Sequence, residues 1–471
     1  MTTDLQAPPP APSAAAMPGD EHYARNLIGG SWQFPAAPFE FEIRNPLDST
    51  VTTVVPLSSR LDVARAVAAA RAASPHWAAA RRARRDWVAR LADGLETHEA
   101  ALARLQSLET GLAPTDSRAT VRAVTALARQ MIAQSAVADP EGTAVAGVSG
   151  HVLSWGLPLA EVTCAVLPHL LAGRTAVIKP SLRAPMSATA VAHLATGLGF
   201  PAGVINVVQG TGLDVGTALA STPGLAALHV RGGDRTLDQA ARAATVTGAA
   251  LHPLRAGGNI LLVGSDADPD LVAAAAVEAL RLHSAGGPLS LPLLGVQAGA
   301  AGPVVDAVLA RLDGCAPAPL PSEPLRRRAL ARVAALAARG GRVLRGGTVP
   351  DDAAHRMGWL MPPTVITAGA VRGGPASPGL ATAAGEPTGP VLTIVTWRSP
   401  AELAGILPHP RYADGIACAW GLDDADITAA QLPHRAVLTN TGPATAVRHA
   451  LLPAAWTGGY DYWPYDARPG R

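Results

Sequence analysis

The sequence predicts an α/β protein of two domains, the first built on a doubly wound parallel sheet, and three observations carry that expectation. The chain is 471 residues long, more than one ordinary core holds. From about residue 147, short apolar runs appear at VLSW (152–155), TAVIKP (175–180), VINVVQG (204–210) and LAALHV (225–230), each followed by a helix-length Ala/Leu segment. Strand alternating with helix at this pitch implies parallel strands covered on both faces. The same rhythm restarts after Gly257-Gly258 with ILLV (260–263), a helix around Pro269 to Leu282, and a loop from Ser284 to Pro288.

Composition narrows the function classes. Hydrophobic residues make up 48% and charged residues 16%, the balance of a globular protein with large cores. Net charge is +2, from 38 basic against 36 acidic residues, so no general electrostatic footprint for nucleic acid exists. Three cysteines, odd in number and widely spaced, argue against a disulfide framework and for a reducing cytoplasm. Residues 1–20 read as a flexible Pro/Ala tail, because they lack both the basic and the apolar parts of a signal peptide. Apolar runs elsewhere break well before membrane-spanning length, so a soluble protein is expected. Of the 38 basic residues only Lys179 is a lysine.

Two helical patterns precede the strands. Ser59 with Asp62 resembles a capping box, and Val63, Val67 and Ala70 share a face, so a helix is expected from Ser59 to Ala73, ended by Ser74-Pro75. A second pattern runs through Trp87, Leu91, Leu95, Leu102 and Leu105 and stops at Gly111 and Pro114, its arginines forming a solvated face. Ligands of doubly wound sheets sit beyond the carboxyl ends of the strands. Trp155 to Pro158, Lys179 to Ser181, Gly210 and Arg231 to Asp234 are therefore the residues to watch.

A longer series of blocks is more specific. NLIGGSW (26–32), NP (45–46), SWGLP (154–158), AGRTAVIKPS (172–181), GFPAGVINVVQG (199–210), AGGN (256–259), MPPTVI (361–366) and EPTGPVL (386–392) run in the order of the aldehyde dehydrogenase superfamily, which the chain resembles from about residue 26 to about 445. The resemblance implies a Rossmann-like cofactor domain over 21–136 and 153–254. It also implies a catalytic-type domain over 255–439 and a small bridging arm for oligomerisation from 137–152 and 440–471.

That family attacks an aldehyde with a cysteine thiolate, passes hydride to a nicotinamide, and hydrolyses the thioester with water activated by a glutamate. The chemistry needs a soft nucleophile, an oxyanion hole, a base and a cofactor. By resemblance the nucleophile falls at Leu289 in the loop Ser284-Ala285-Gly286-Gly287-Pro288-Leu289-Ser290, and the base at Arg255. Leucine cannot attack a carbonyl, and a permanently protonated arginine cannot serve as a base. The asparagine of the oxyanion hole is Gly156; losing one such donor costs on the order of 100- to 1,000-fold in rate. Ser290 is a candidate substitute nucleophile that lacks a placed base. Cys164 is expected to be a buried, inert thiol. His151, His252 and His283 fall near the presumed cleft without the spacing of a metal site or a triad, and structural roles are expected; no metal is implied.

For the cofactor, the resemblance implies NAD or NADP held around Trp155, Lys179, Ser181, Gly232, Gly233 and Glu386. Lys179 matches the lysine that contacts the adenosine ribose or its 2′-phosphate, and Glu386 the glutamate on the nicotinamide ribose. Leu182 replaces the glutamate that selects NAD, which with Arg183 leans the expectation to NADP. The phosphate-cradling turn departs from the family, with Leu237 at its second glycine and Asp234 set to repel a pyrophosphate that Arg231 or Arg235 would attract. Two readings follow. One is a pseudoenzyme acting as a non-catalytic or regulatory subunit, in a homo-oligomer or with an active paralogue. The other is an NAD(P)-dependent oxidoreductase that acts on an aldehyde or related carbonyl by altered chemistry. Tyr460, Trp463 and Tyr465 are expected to anchor the assembly. No membrane or nucleic-acid partner is expected.

Overall fold

Residues 17–138, 145–255, 259–282, 290–368, 389–407, 415–432 and 436–439 are described by the computed structural model. They fall into two units, one of residues up to 44 with 51–254, the other of 45–50 with 255–439. Segment 45–50 joins the second unit through the Trp359 N–H, which donates to the Pro46 carbonyl (2.7 Å), and through the Ser49 hydroxyl, which donates to the Met357 carbonyl.

The first unit holds β1 (Asn26–Ile28), β2 (Ser31–Gln33), β3 (Glu40–Arg44), β4 (Val51–Pro56), β5 (Val148–Val152), β6 (Thr175–Lys179), β7 (Ile205–Val207), β8 (Leu225–Gly232) and β9 (Ala250–Arg255). Strands β3 and β4 form a separate antiparallel ribbon; the others make one seven-stranded sheet in the order β2-β1-β7-β6-β5-β8-β9. Pairs β5–β6, β6–β7 and β5–β8 are parallel, whereas β1 runs antiparallel to β2 and β7. Every residue of β5, β6 and β7 is buried, as expected for parallel strands covered on both faces.

The helices are α1 (Asp20–Tyr23), α2 (Arg60–Ala79), α3 (Arg81–Thr97), α4 (Glu99–Thr110), α5 (Pro114–Ala138), α6 (Pro158–Ala172), α7 (Met186–Gly197), α8 (Thr217–Ala220) and α9 (Asp234–Thr247). The capping box at Ser59 is present, with Asp62 accepting from the Ser59 N–H (2.9 Å). Helix α2 does not stop at Ser74-Pro75 but continues to Ala79. Trp77, fully buried, donates its indole N–H to the Leu170 carbonyl (3.1 Å), and that burial offsets the roughly 3 kcal/mol that an internal proline costs. The second pattern splits into α3 and α4, and Gly111 ends α4 at φ 73°, a left-handed cap that favours glycine. One of its arginines departs from the expected solvated face: Arg84 is buried, and its guanidinium donates to the Leu171 (3.2 Å) and Ala78 carbonyls.

Strand β5 corrects two expectations. It spans Val148–Val152, so residues 153–155 form the following loop and not a strand. It also lies between β6 and β8, inside the first sheet, so 148–152 is core and not part of a bridging arm. Of the rest of that assignment, 137–138 end α5 and 145–147 lead into β5, while 139–144 and 440–471, with the three C-terminal aromatics, lie outside the described residues.

The second unit contains β10 (Ile260–Val263), β11 (Leu293–Gln297), β12 (Ala318–Pro319), β13 (Arg342–Arg345), β14 (Leu360–Met361), β15 (Thr364–Thr367), β16 (Val391–Trp397), β17 (Ile416–Trp420) and β18 (Ala436–Thr439). Its main sheet has the order β13-β15-β16-β11-β10-β17-β18, parallel except where β13 meets β15. Helices α10 (Pro269–Leu282), α11 (Ala301–Arg311) and α12 (Glu323–Ala338) flank it. Val272, Ala276, Val304 and Val308 pack with Leu261 and Leu294 on one side of the sheet; Ala329 and Val333 pack with Ile260 and Leu293 on the other. Among the described residues no helix is long and apolar enough to cross a membrane.

Candidate functional site

Strand order locates the crevice. From β5 the chain steps to β6 and β7 on one side, then returns to place β8 on the other side of β5. The carboxyl ends of β5 and β8 therefore flank the point where the winding reverses, where ligands of doubly wound sheets bind.

The loop after β5 enters this crevice. Leu153 donates its N–H to the Lys179 carbonyl (3.0 Å), tying the loop to the end of β6. Trp155 is buried and donates its indole N–H to the Glu109 carbonyl (3.1 Å). Gly156 is buried and Pro158 opens α6. In the first turn of α6, Glu161 accepts from the Ser154 N–H (2.6 Å) and from the Ser154 hydroxyl. It also pairs with Arg231 of β8 (3.4 Å), and both side chains are buried. This pair crosses the crevice from α6 to β8. Arg231 is therefore not a free cation for a pyrophosphate, and Arg235 is exposed.

Next to this pair, Gly232 ends β8 and Gly233 precedes α9 without a side-chain cap. A Cβ at Gly233 would meet open space, whereas one at Gly232 would press on Thr236. Leu237 does not fill the crevice. It is buried in the core with Val230 and Ala240, so its effect on the turn is confined to the backbone.

Lys179 ends β6 at 4% exposure. Burial pushes its pKa down to about 8, and no acceptor among the described residues meets its ammonium. A buried cation in that state calls for a ligand oxygen or for loss of its proton. Ser181 accepts from the Arg183 N–H (3.3 Å), and the Arg183 guanidinium lies over the Phe41 ring (5.6 Å). Glu109, fully buried at the end of α4, caps the helix that follows this loop. Its carboxylate accepts from the Met186 N–H (2.7 Å), the Ser187 N–H (3.0 Å) and the Ser187 hydroxyl. Burial raises its pKa to about 7 against the pull of those donors.

In the second unit, Ser290 is buried and its carbonyl accepts from the Asn259 amide (3.0 Å). The side chain of Arg255, and all of Leu289, Glu386 and His283, lie outside the described residues. All three cysteines are described. Burial pushes the thiols of Cys164, in α6, and Cys418, in β17, up to about 12. Cys315 follows α11, which returns from the carboxyl end of β11, so it emerges at the opposite end of the sheet from a ligand crevice. Its Sγ donates to the Arg311 carbonyl (3.4 Å).

The sequence pointed to Trp155, Lys179, Ser181, Gly232 and Gly233, and the structure places these on neighbouring strand ends of one unit. It did not point to Glu109, or to Glu161 as the partner of Arg231. The signal for Glu161 was a carboxylate three residues after the proline that opens a helix; nothing local marked its partner 70 residues away.

The two sheets, each with its reversal of strand order, define a two-unit doubly wound α/β protein. The chain belongs to the Aldehyde dehydrogenase family, whose family model matches residues 32–414. It is 31% identical to 3,6-anhydro-alpha-L-galactose dehydrogenase of Streptomyces coelicolor over 420 residues, covering 82% of both chains. Its fold matches PnpE from Pseudomonas sp. WBC-3 with TM-score 0.79 at 26% identity, covering 89% of each chain. Lactaldehyde dehydrogenase from Escherichia coli gives TM-score 0.77 at 21% identity over 88% of this chain and 90% of that one, a likeness of fold.

Proposed function

We propose that this protein is a catalytically silent aldehyde dehydrogenase family member, a cytoplasmic pseudoenzyme that binds a nicotinamide dinucleotide in its first unit and serves as a regulatory subunit. The observation that carries this reading is the placement of the cysteines. None of the three is an accessible thiol at a ligand crevice, and the covalent route has no other soft nucleophile. Leu289 and Arg255, at the positions of nucleophile and base, support the same reading, as does Gly156 in place of an oxyanion donor.

Dinucleotide binding rests on Lys179. Its buried ammonium, without an acceptor among the described residues, fits the ribose hydroxyls or 2′-phosphate of an adenosine, and the open side of Gly233 at the start of α9 fits a phosphate. The Glu161–Arg231 pair narrows the same crevice, so weak binding is expected, with NADP favoured. When bound, the nicotinamide would supply a hydride acceptor. Lys179 orients the adenosine end, while Trp155 and Glu109 fix the loops on either side. The same lysine favours a second reading, an oxidoreductase that transfers hydride directly, without a covalent intermediate, on an aldehyde or related carbonyl.

As a subunit, the chain is proposed to form a homo-oligomer or to assemble with an active paralogue. Light scattering on the protein, alone and with that paralogue, tests this; a 47.8 kDa monomer in both samples rejects it. Titration with NADP and NAD by fluorescence or calorimetry tests the binding, using Lys179→Ala as the comparison. Binding that Lys179→Ala leaves unchanged rejects the role of the lysine. An aldehyde panel that includes anhydro-aldoses separates the two readings: turnover abolished by a substitution in the crevice establishes the oxidoreductase.

A further inference from the structure

Four histidines form a contiguous buried chain behind the sheet of the first unit. His151 of β5 and His229 of β8 are paired in register on adjacent parallel strands, so they share a face. His169 of α6 packs over that face and His252 of β9 lies beyond it. The ring centroids are 5.8 Å apart for His229–His151, 4.9 Å for His151–His169 and 5.9 Å for His169–His252. Exposures of the four residues are 0%, 2%, 5% and 6% for His151, His169, His229 and His252. Nothing in the proposed function uses them, and no cluster among the described residues has the geometry to hold a metal.

We propose that this stack makes the first unit an acid-triggered switch, closed while all four rings are neutral and opened when they take up protons together. The network around His151 fixes the neutral state. Ser149 donates its hydroxyl to the Thr175 carbonyl (2.9 Å), so its oxygen accepts from His151 Nε2 (2.9 Å). Nδ1 of His151 is then the bare nitrogen, and no partner awaits a proton there. The surrounding charges oppose protonation as well. Arg174 faces His151, His169 and His252, and Arg231 faces His229. Of the groups on α6 near this face, Glu161 is paired with Arg231, and Cys164 beside that pair is a neutral thiol.

Burial, with neighbouring rings and arginines adding to it, pushes His151 down to about 3 and His252 to about 4, and His169 and His229 well below the ordinary imidazole value. A base whose folded pKa is depressed contributes stability above its unfolded pKa of ~6.5, and that stability is lost as pH falls below it. Each ring then costs about tenfold in the folding constant per pH unit. Four rings together cost about 10⁴-fold between pH 7.5 and 5.5, of which Glu109, protonated in the fold, returns about 20-fold; the net loss reaches about 10⁴-fold near pH ~5, enough to open a unit at the lower end of ordinary stability. Helix α6 carries both His169 and Glu161, so opening also releases the loop at Ser154.

Urea unfolding of the full chain between pH 8 and 5.5, without any dinucleotide, tests the switch independently of the functional reading. His229→Phe and His252→Phe should each lower the slope of log folding constant against pH by about one proton below pH 6.5, and the double substitution by about two. Slopes that match the parent overturn the proposal. If the variants do not fold, proton uptake by the parent in an unbuffered unfolding jump at pH 6 decides. The four rings take up roughly three protons and Glu109 releases about one, so net uptake of about two supports the switch. Zero uptake or net release overturns it.

Discussion

The two units share an architecture and differ in what they bury. Among the described residues, the first unit buries Asp62, Arg84, Glu109, Glu161, Lys179, Arg231 and four histidines. In the second unit, the one buried ionisable side chain other than cysteine among the described residues is His355; the rest of its buried polar side chains are serines and threonines. Both units have two-sided apolar cores. Against the described core of the second, the charges buried in the first stand out as a cost carried for position or response. Three of them, Glu109, Glu161 and Lys179, fix or line the loops around one crevice.

The largest expected effect breaks that comparison at its centre. Glu161→Leu strands a buried guanidinium and should cost about 3–5 kcal/mol in urea unfolding. Adding Arg231→Met should recover most of the loss, because an apolar pair suits the site as well as an ion pair does. A double variant no more stable than the single would show that the pair is not the unit of interaction. In the second unit, Leu261→Ala should cost about 2–5 kcal/mol through its cavity, and that loss should be the same at pH 8 and pH 6. A strong pH dependence there would erase the contrast between the units.

Glu109 gives a smaller and opposite pH effect. Its folded pKa is raised from the ordinary carboxylate range to about 7, so its contribution is complete below ~4.5 and is lost as pH rises through 7, by up to about 3 kcal/mol. Glu109→Gln keeps the shape and removes a term that opposes the histidines, so it should steepen the fall of stability towards acid between pH 7 and 5 by about one proton; an unchanged slope would mean that the three donors hold the carboxylate ionised throughout. The smallest effect is local: Ser59→Ala removes one cap of α2 and should cost about 1 kcal/mol by thermal unfolding.

How far the sequence carried follows the same division. Apolar runs and their punctuation placed β6, β10 and α10, and the capping box placed the start of α2. Strand β5 escaped because its middle is Ser149-Gly150-His151, which breaks an apolar run, and its pairing is with distant strands. Pro75 looked like a terminator because the burial of Trp77 is a tertiary fact. Arg84 looked solvated because the carbonyls that receive it belong to other segments. In the site, the backbone ends were legible from ordered motifs. The Glu161–Arg231 pair and the histidine stack were not, since periodicity within one element says nothing about which charges meet across elements.

The central claim is the absence of covalent aldehyde oxidation, and the most direct measurement is formation of reduced dinucleotide by the purified full chain, with NAD and with NADP, over an aldehyde panel, beside Leu289→Cys. The account predicts no signal above the enzyme-free blank for the parent. It predicts at most an alkylatable thiol for the variant, because nucleophile, base and oxyanion donor act as a unit. Turnover by the parent that a substitution in the crevice abolishes, or robust turnover restored by Leu289→Cys alone, would contradict it.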